Sequence, residues 1–171
     1  MKQKWVTRKF EFDFPASEYV DFLEFLKQTP DKVETLIESI PNEVLTKQDG
    51  ESWSIQENVG HLLSADSMFL GRLDDYLAKA EVLRAADVSG DRTNRANYND
   101  KDIKDILEKF KIIRNEFMNR ALELNQKDFE KIAHHPRLNK PMRLCDMLHF
   151  QMEHDKHHLI RIEELKNKWQ S

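Results

Sequence analysis

Apolar residues recur at three- and four-residue spacing through most of this chain, and no other feature limits its fold so tightly. From about Lys101 to Leu124, the residues Ile103, Ile106, Leu107, Phe110, Ile113, Phe117, Ala121 and Leu124 keep to one side of a helix. A second such stretch opens at Ser54, where Glu57 three residues on completes a capping box, and its pattern runs to about Leu83. A third runs from about Arg143 to Lys168. The earliest covers residues 17–40, with Phe22, Leu23, Leu26, Val33, Leu36, Ile37 and Ile40 before Pro41. Inside it Thr29-Pro30 reads as an N-cap followed by proline at the first helical position, so one kinked helix and two separate ones both fit. Phe10–Pro15 alternates like a short extended segment. Residues 41–53, 86–100 and 125–142 read as connections, the last two as long loops. Four long amphipathic helices predict an all-α, single-domain bundle spanning residues 1–171.

Composition agrees once helices are assumed. Four glycines among 171 residues leave no nucleotide-binding loop pattern, and the single Cys145 excludes an internal disulfide framework or a multi-cysteine zinc site. A mean hydropathy of −0.74 with 34% charged residues is polar for a compact chain, unless each helix buries one stripe and solvates the other. The net charge of −4 shows no basic excess of the kind that binds nucleic acid. No stretch approaches the roughly 20 apolar residues of a membrane span. The first fifteen residues lack the apolar run and cleavage site of a secretory signal, so a cytoplasmic setting is expected.

Histidine placement is the anomaly, because six of the seven follow residue 130. Stepping about 100° per residue from His158 at 0°, Met147 and Leu165 fall near −20°, Leu144 and Ile162 near +40°, and His154 near −40°. His154 and His158 therefore interrupt one apolar stripe, whereas His149 and His157 lie off it. Two inward imidazoles at i and i+4 have Cβ atoms about 5–6 Å apart and suit one metal ion, or a pair of hydrogen-bonded core histidines. A third ligand from another helix would decide between these. His61 is the histidine that precedes residue 134, and it falls at the edge of the second helix's stripe. There it could equally be a boundary residue between packed helices.

Three stretches resemble the DinB-like (DinB/YfiT-type) superfamily. They are Trp53-Ser54-Ile55-Gln56-Glu57-Asn58-Val59-Gly60-His61-Leu62 with Asp66 following, the loop His135–Leu144 followed by Asp146, and Glu153-His154-Asp155-Lys156-His157-His158. The resemblance implies a four-helix bundle of up-down-down-up connectivity with a three-histidine metal site. Residue by residue, the ligands would be His61, His154 and His158. It further implies a homodimer and a small-molecule substrate, with hydrolases and S-transferases using a low-molecular-weight thiol both among its members.

Three neutral imidazoles suit a divalent transition metal (Zn, Ni, Fe or Cu) more than Mg or Ca. Glu57, one turn before His61, could act as a base or simply cap its helix. Asp155 could orient an imidazole or pair on the surface with Lys156 or Arg161. His134 and His135 read as turn or surface residues and Cys145 as a buried structural thiol. Trp5 and Trp169 read as covers for the bundle ends. The loop Arg92–Asn97 is the best candidate for a substrate-contacting segment, the alternative being a solvated loop with no function.

Overall fold

The computed structural model describes residues 5–170. Helix α1 covers Tyr19–Ile37 without a break, with Pro30 inside it. Thr29 is not a cap: it is buried, and its hydroxyl donates to the Phe25 carbonyl at 3.2 Å. Pro30 has no N–H for the Leu26 carbonyl one turn back. Arg114 Nη1 donates to that carbonyl instead, at 2.6 Å, so the proline is tolerated in a continuous helix.

A single turn, α2 (Asn42–Leu45), precedes α3 (Ile55–Leu77). Ser54 caps α3 as read: its hydroxyl accepts from Glu57 N–H at 3.1 Å, and the Glu57 carboxylate accepts from Ser54 N–H at 2.8 Å. The helix stops six residues short of Leu83. Lys79 takes φ 57°, and Ala80 N–H reaches back to the Asp75 carbonyl while Lys79 N–H reaches Tyr76, a Schellman closure made without glycine. Leu83 stays buried because the chain there lies extended beside residue 134, with His134 N–H donating to Glu81 O and Leu83 N–H to His134 O.

The chain then forms a short helix α4 (Asp91–Arg95), entered through Gly90 at φ 81°, and a 3-10 turn at Tyr98–Asp100. Helix α5 (Ile103–Leu122) begins at Asp102, whose carboxylate accepts from Lys104 N–H at 2.8 Å. The expected loop 125–142 contains a two-stranded antiparallel hairpin, β1 (Ile132–His135) with β2 (Lys140–Arg143), in register Ile132 with Arg143 and His135 with Lys140. Helix α6 (Leu144–Gln170) follows the hairpin directly.

Cross-helix contacts fix the directions. Along α1 and α6, Phe22 meets His149 and the Leu36 carbonyl meets Lys166, so the two run parallel. Along α3 and α6, His61 meets His154, Asp66 meets Gln151 and Phe69 meets Phe150, so they are antiparallel. Arg114 and Arg120 of α5 reach Asp66 and Asp74 of α3, which makes those two parallel. The connectivity is therefore up-down-down-up. Because α3 and α5 point the same way, residues 78–102 must travel back along the bundle, and they carry α4 past His61.

The core has two apolar halves, one around Phe69, Phe117 and Met147 and the other around Val59, Phe110 and Ile162. Between them lies a buried polar layer. Arg114 donates to both oxygens of Asp66 at 2.7 Å, to Asp155 Oδ2 at 2.8 Å and to Leu26 O, and Gln151 Nε2 donates to Asp66 at 3.2 Å. One guanidinium thus joins all four long helices.

Candidate metal centre

His61, His154 and His158 meet beside this layer, each offering a ring nitrogen within 4.8 Å of the others. The Nε2 atoms of His61 and His154 are 3.1 Å apart. Two nitrogens bound at about 2.0–2.1 Å with tetrahedral angles would lie about 3.3 Å apart, so the donor set fits a single ion with little movement. His154 and His158 are buried and His61 is half-buried.

Neighbours fix which nitrogen faces the centre. Asn58 spends its amide N–H groups on the Ser54 carbonyl at 2.7 Å and the Trp53 carbonyl at 3.3 Å. Its Oδ1 is left as an acceptor for His158 Nδ1–H at 2.9 Å, which turns the Nε2 lone pair of His158 inward. His61 Nδ1 is held 2.9 Å from the Thr93 hydroxyl of α4. His154 Nδ1 is buried without a hydrogen-bond partner, and Asp155 Oδ1 is 4.0 Å away, too far for a hydrogen bond.

Electrostatics favour neutral rings. Burial lowers the His61 pKa to about 4 and pushes His154 and His158 well below the usual imidazole range, with repulsion from His61 adding to the effect on the latter two. Neutral imidazoles are the form that binds metal. Aromatic rings shield the cluster: Trp53 packs on His61 at a centroid distance of 4.6 Å and Trp5 meets His154 edge-on at 5.2 Å.

A cavity of about 390 Å³ adjoins the three histidines, with Trp5, Met68, Phe69 and Phe150 among its apolar walls and Arg72 and His135 among its polar ones. Asp87 is the only carboxylate among the described residues lining it. That group is held ionised by Ser89 and by the Arg92 N–H.

Some sequence expectations are revised here, and others agree with the structure. His135 is buried at the cavity rather than on the surface, because the unforeseen hairpin turns it inward. Trp5 lines the cavity instead of covering a bundle end. Asp155 is neither a surface residue nor an imidazole partner: it is buried against Arg114, and burial pushes its carboxyl up. Glu57 sits in the capping box with Gln48 Nε2 at 3.0 Å from both oxygens, and it is not part of the cavity lining. Cys145 is buried, its thiol pushed up to about 12, as a structural residue would be. From the Arg92–Asn97 segment, Arg92 and Thr93 reach the cavity. His149 packs against Phe14 and Phe22, away from the centre. Sequence reasoning does not reveal Asn58 and Trp53 as supports, although they flank the capping box of Ser54 and Glu57, the clearest helix start in the chain.

The family model of the DinB superfamily matches residues 26–162. Among solved structures, the chain is similar to YfiT from Bacillus subtilis, described as a probable metal-dependent hydrolase with an unusual four-helix bundle topology. The TM-score is 0.84 at 17% identity, covering 95% of this chain and 93% of that one. A protein from Streptococcus pneumoniae aligns with TM-score 0.65 at 13% identity, covering 95% and 92%. No curated protein sequence matches the chain. At these identities the structural likenesses speak for the fold.

Proposed function

The chain belongs to the DinB superfamily, and we propose that within it this protein is a metal-dependent enzyme acting on a small molecule, with His61, His154 and His158 as ligands of a Zn, Ni or Fe ion. One observation carries this reading: three neutral imidazoles from two helices converge at the wall of a cavity large enough for a small molecule. When bound, a divalent ion there supplies Lewis acidity to a water or a thiol in the cavity. The chain's own residues do the positioning. Asn58 and Thr93 orient two of the rings, while Trp5 and Trp53 keep bulk water from the cluster. Glu57 could serve as a base only by leaving Ser54 N–H and Gln48, so helix capping is its role in this proposal.

The resemblance of YfiT supports hydrolysis, and a thiol-dependent S-transfer is the second version. Turnover of ester or amide probes without added thiol would support the first; turnover only with a low-molecular-weight thiol would support the second. The adjoining cavity speaks against a non-catalytic metal-binding module for partner association, which would need no such space. Metal content of the gently purified, untagged protein is the direct test. About one equivalent is expected in the wild type and only stray metal in a His154→Ala/His158→Ala variant. Equal, trace content in both would overturn the ligand assignment.

A further inference from the structure

Two arginines in the wall of the same cavity, Arg72 buried and Arg137 half-buried, have no anionic hydrogen-bond partner among the described residues. Arg72 has 0% of its surface exposed. Its Nε donates to the Arg84 carbonyl at 3.1 Å, its Nη1 lies 3.1 Å from His135 Nε2, and its Nη2 has no acceptor. Arg137 spends Nη1 on the Val6 carbonyl at 2.9 Å, and its Nη2 is also buried without an acceptor. His135 deepens the imbalance. Leu138 N–H points at its Nδ1 from 3.1 Å, so both ring nitrogens face donors, while a neutral imidazole can accept at only one.

Among the described residues, no carboxylate hydrogen-bonds to Arg72 or Arg137. Asp75 is occupied by the Arg84 backbone N–H at 2.9 Å and the Arg84 guanidinium at 2.8 Å. Arg114 makes the contrast plain: equally buried, it holds two carboxylates and a carbonyl. A buried charge with no counter-charge is costly, and burial lowers the Arg72 pKa only to about 10, which leaves it charged at neutral pH. Arg72 follows His61 by eleven residues on α3, about 16 Å along the axis and about 20° from the same face. Met68, Phe69 and Phe150 wall the cavity as well.

From this surplus of donors we infer that the cavity binds an elongated organic anion. Its carboxylate or phosphate is held by Arg72 and Arg137 beside His135, and its apolar body lies along Met68, Phe69 and Phe150 toward the three histidines. The placement of the far end at His61, His154 and His158 rests on the proposed metal-dependent function; the anion site does not.

The test follows the thermal unfolding midpoint of the full chain, with and without added zinc, against hexanoate, hexyl phosphate and neutral hexanamide. Hexanoate or hexyl phosphate should raise the midpoint saturably, by roughly 5–10 °C at a hundredfold excess over Kd, and hexanamide should not. Whichever anion acts more strongly identifies the headgroup. Arg72→Met and Arg137→Met should each remove most of the shift, and the second serves alone if the first fails to fold. His154→Ala should keep the shift, since the anion end is remote from the cluster. A shift that persists in zinc-free protein supports the anion site even if the metal assignment fails. Equal stabilisation by hexanamide, an undiminished shift in Arg137→Met, or loss of the shift in His154→Ala would overturn the inference.

Discussion

Asn58 shows how much a single amide can settle. It is committed by two backbone carbonyls to present oxygen to His158, and that choice fixes the nitrogen His158 turns to the centre. Asn58→Leu should therefore weaken metal binding about 10–100-fold, read by competition with a chromophoric chelator, while leaving the helical signal intact. His135 carries a pH signature of its own. Burial first, then the Arg72 and Arg137 charges, hold its pKa at about 3 against 6.5 for a free imidazole. Between those values the unfolded chain binds a proton that the folded chain does not. The stability from this group is thus complete above pH 6.5 and is lost as pH falls toward 3. Replacing His135 by Gln should flatten the decline in urea midpoint between pH 6.5 and 4 relative to wild type. An unchanged slope would show that another group controls it. At this scale the sequence was partly legible. Rotation about α6 separates His154 and His158 from His149 and His157, but nothing in one-dimensional spacing reveals that Asn58 and Thr93 hold the rings.

Helices announce themselves by periodicity, and their ends are harder to read. The start of α3 is visible because Ser54 and Glu57 satisfy backbone donors locally. Its end is hidden because Lys79 adopts a left-handed conformation without the glycine that usually marks one. Pro30 misleads in the other direction: the carbonyl it orphans is satisfied by a residue 88 positions away. The hairpin at 132–143 was missed because each strand has four residues, too few for alternation to stand out. Gly60 illustrates an element held by close approach. A Cβ there would come within 2.2 Å of the Tyr98 ring, which anchors the returning crossover on α3. Gly60→Ala should cost about 1–3 kcal/mol in denaturant unfolding, since the ring and the segment behind it must move. It should also lower metal affinity, because the same crossover delivers Thr93 to His61.

Across the whole molecule, Arg114 is the joint that lets four amphipathic helices share a polar centre. Arg114→Met would leave Asp66 and Asp155 buried without their cation, and a loss of about 3–5 kcal/mol is expected by chemical denaturation. A loss under about 1 kcal/mol would show that the carboxylates find other partners. Homodimerisation belongs to this scale as a proposal: Ile112, Leu122 and Ile160 are exposed large apolar residues, on α5 and α6. Sedimentation at micromolar concentration should give about twice the chain mass of 20.4 kDa, and a monomer would refute it. No described helix is long and apolar enough to cross a membrane.

The sequence by itself determined that this chain is a bundle of long helices and that His154 and His158 share one inward face. Both follow from the helical repeat, which acts over a few residues and is written in the order of side chains. Tertiary structure decided the rest. It joined His61 to the pair, diverted the chain at Lys79 so that α4 passes over the site, and turned His135 and Trp5 into a cavity. It also left Arg72 buried there without a carboxylate hydrogen-bond partner among the described residues. Those outcomes depend on which helices run parallel and on where a long return connection packs, and such contacts between distant residues have no local period to betray them.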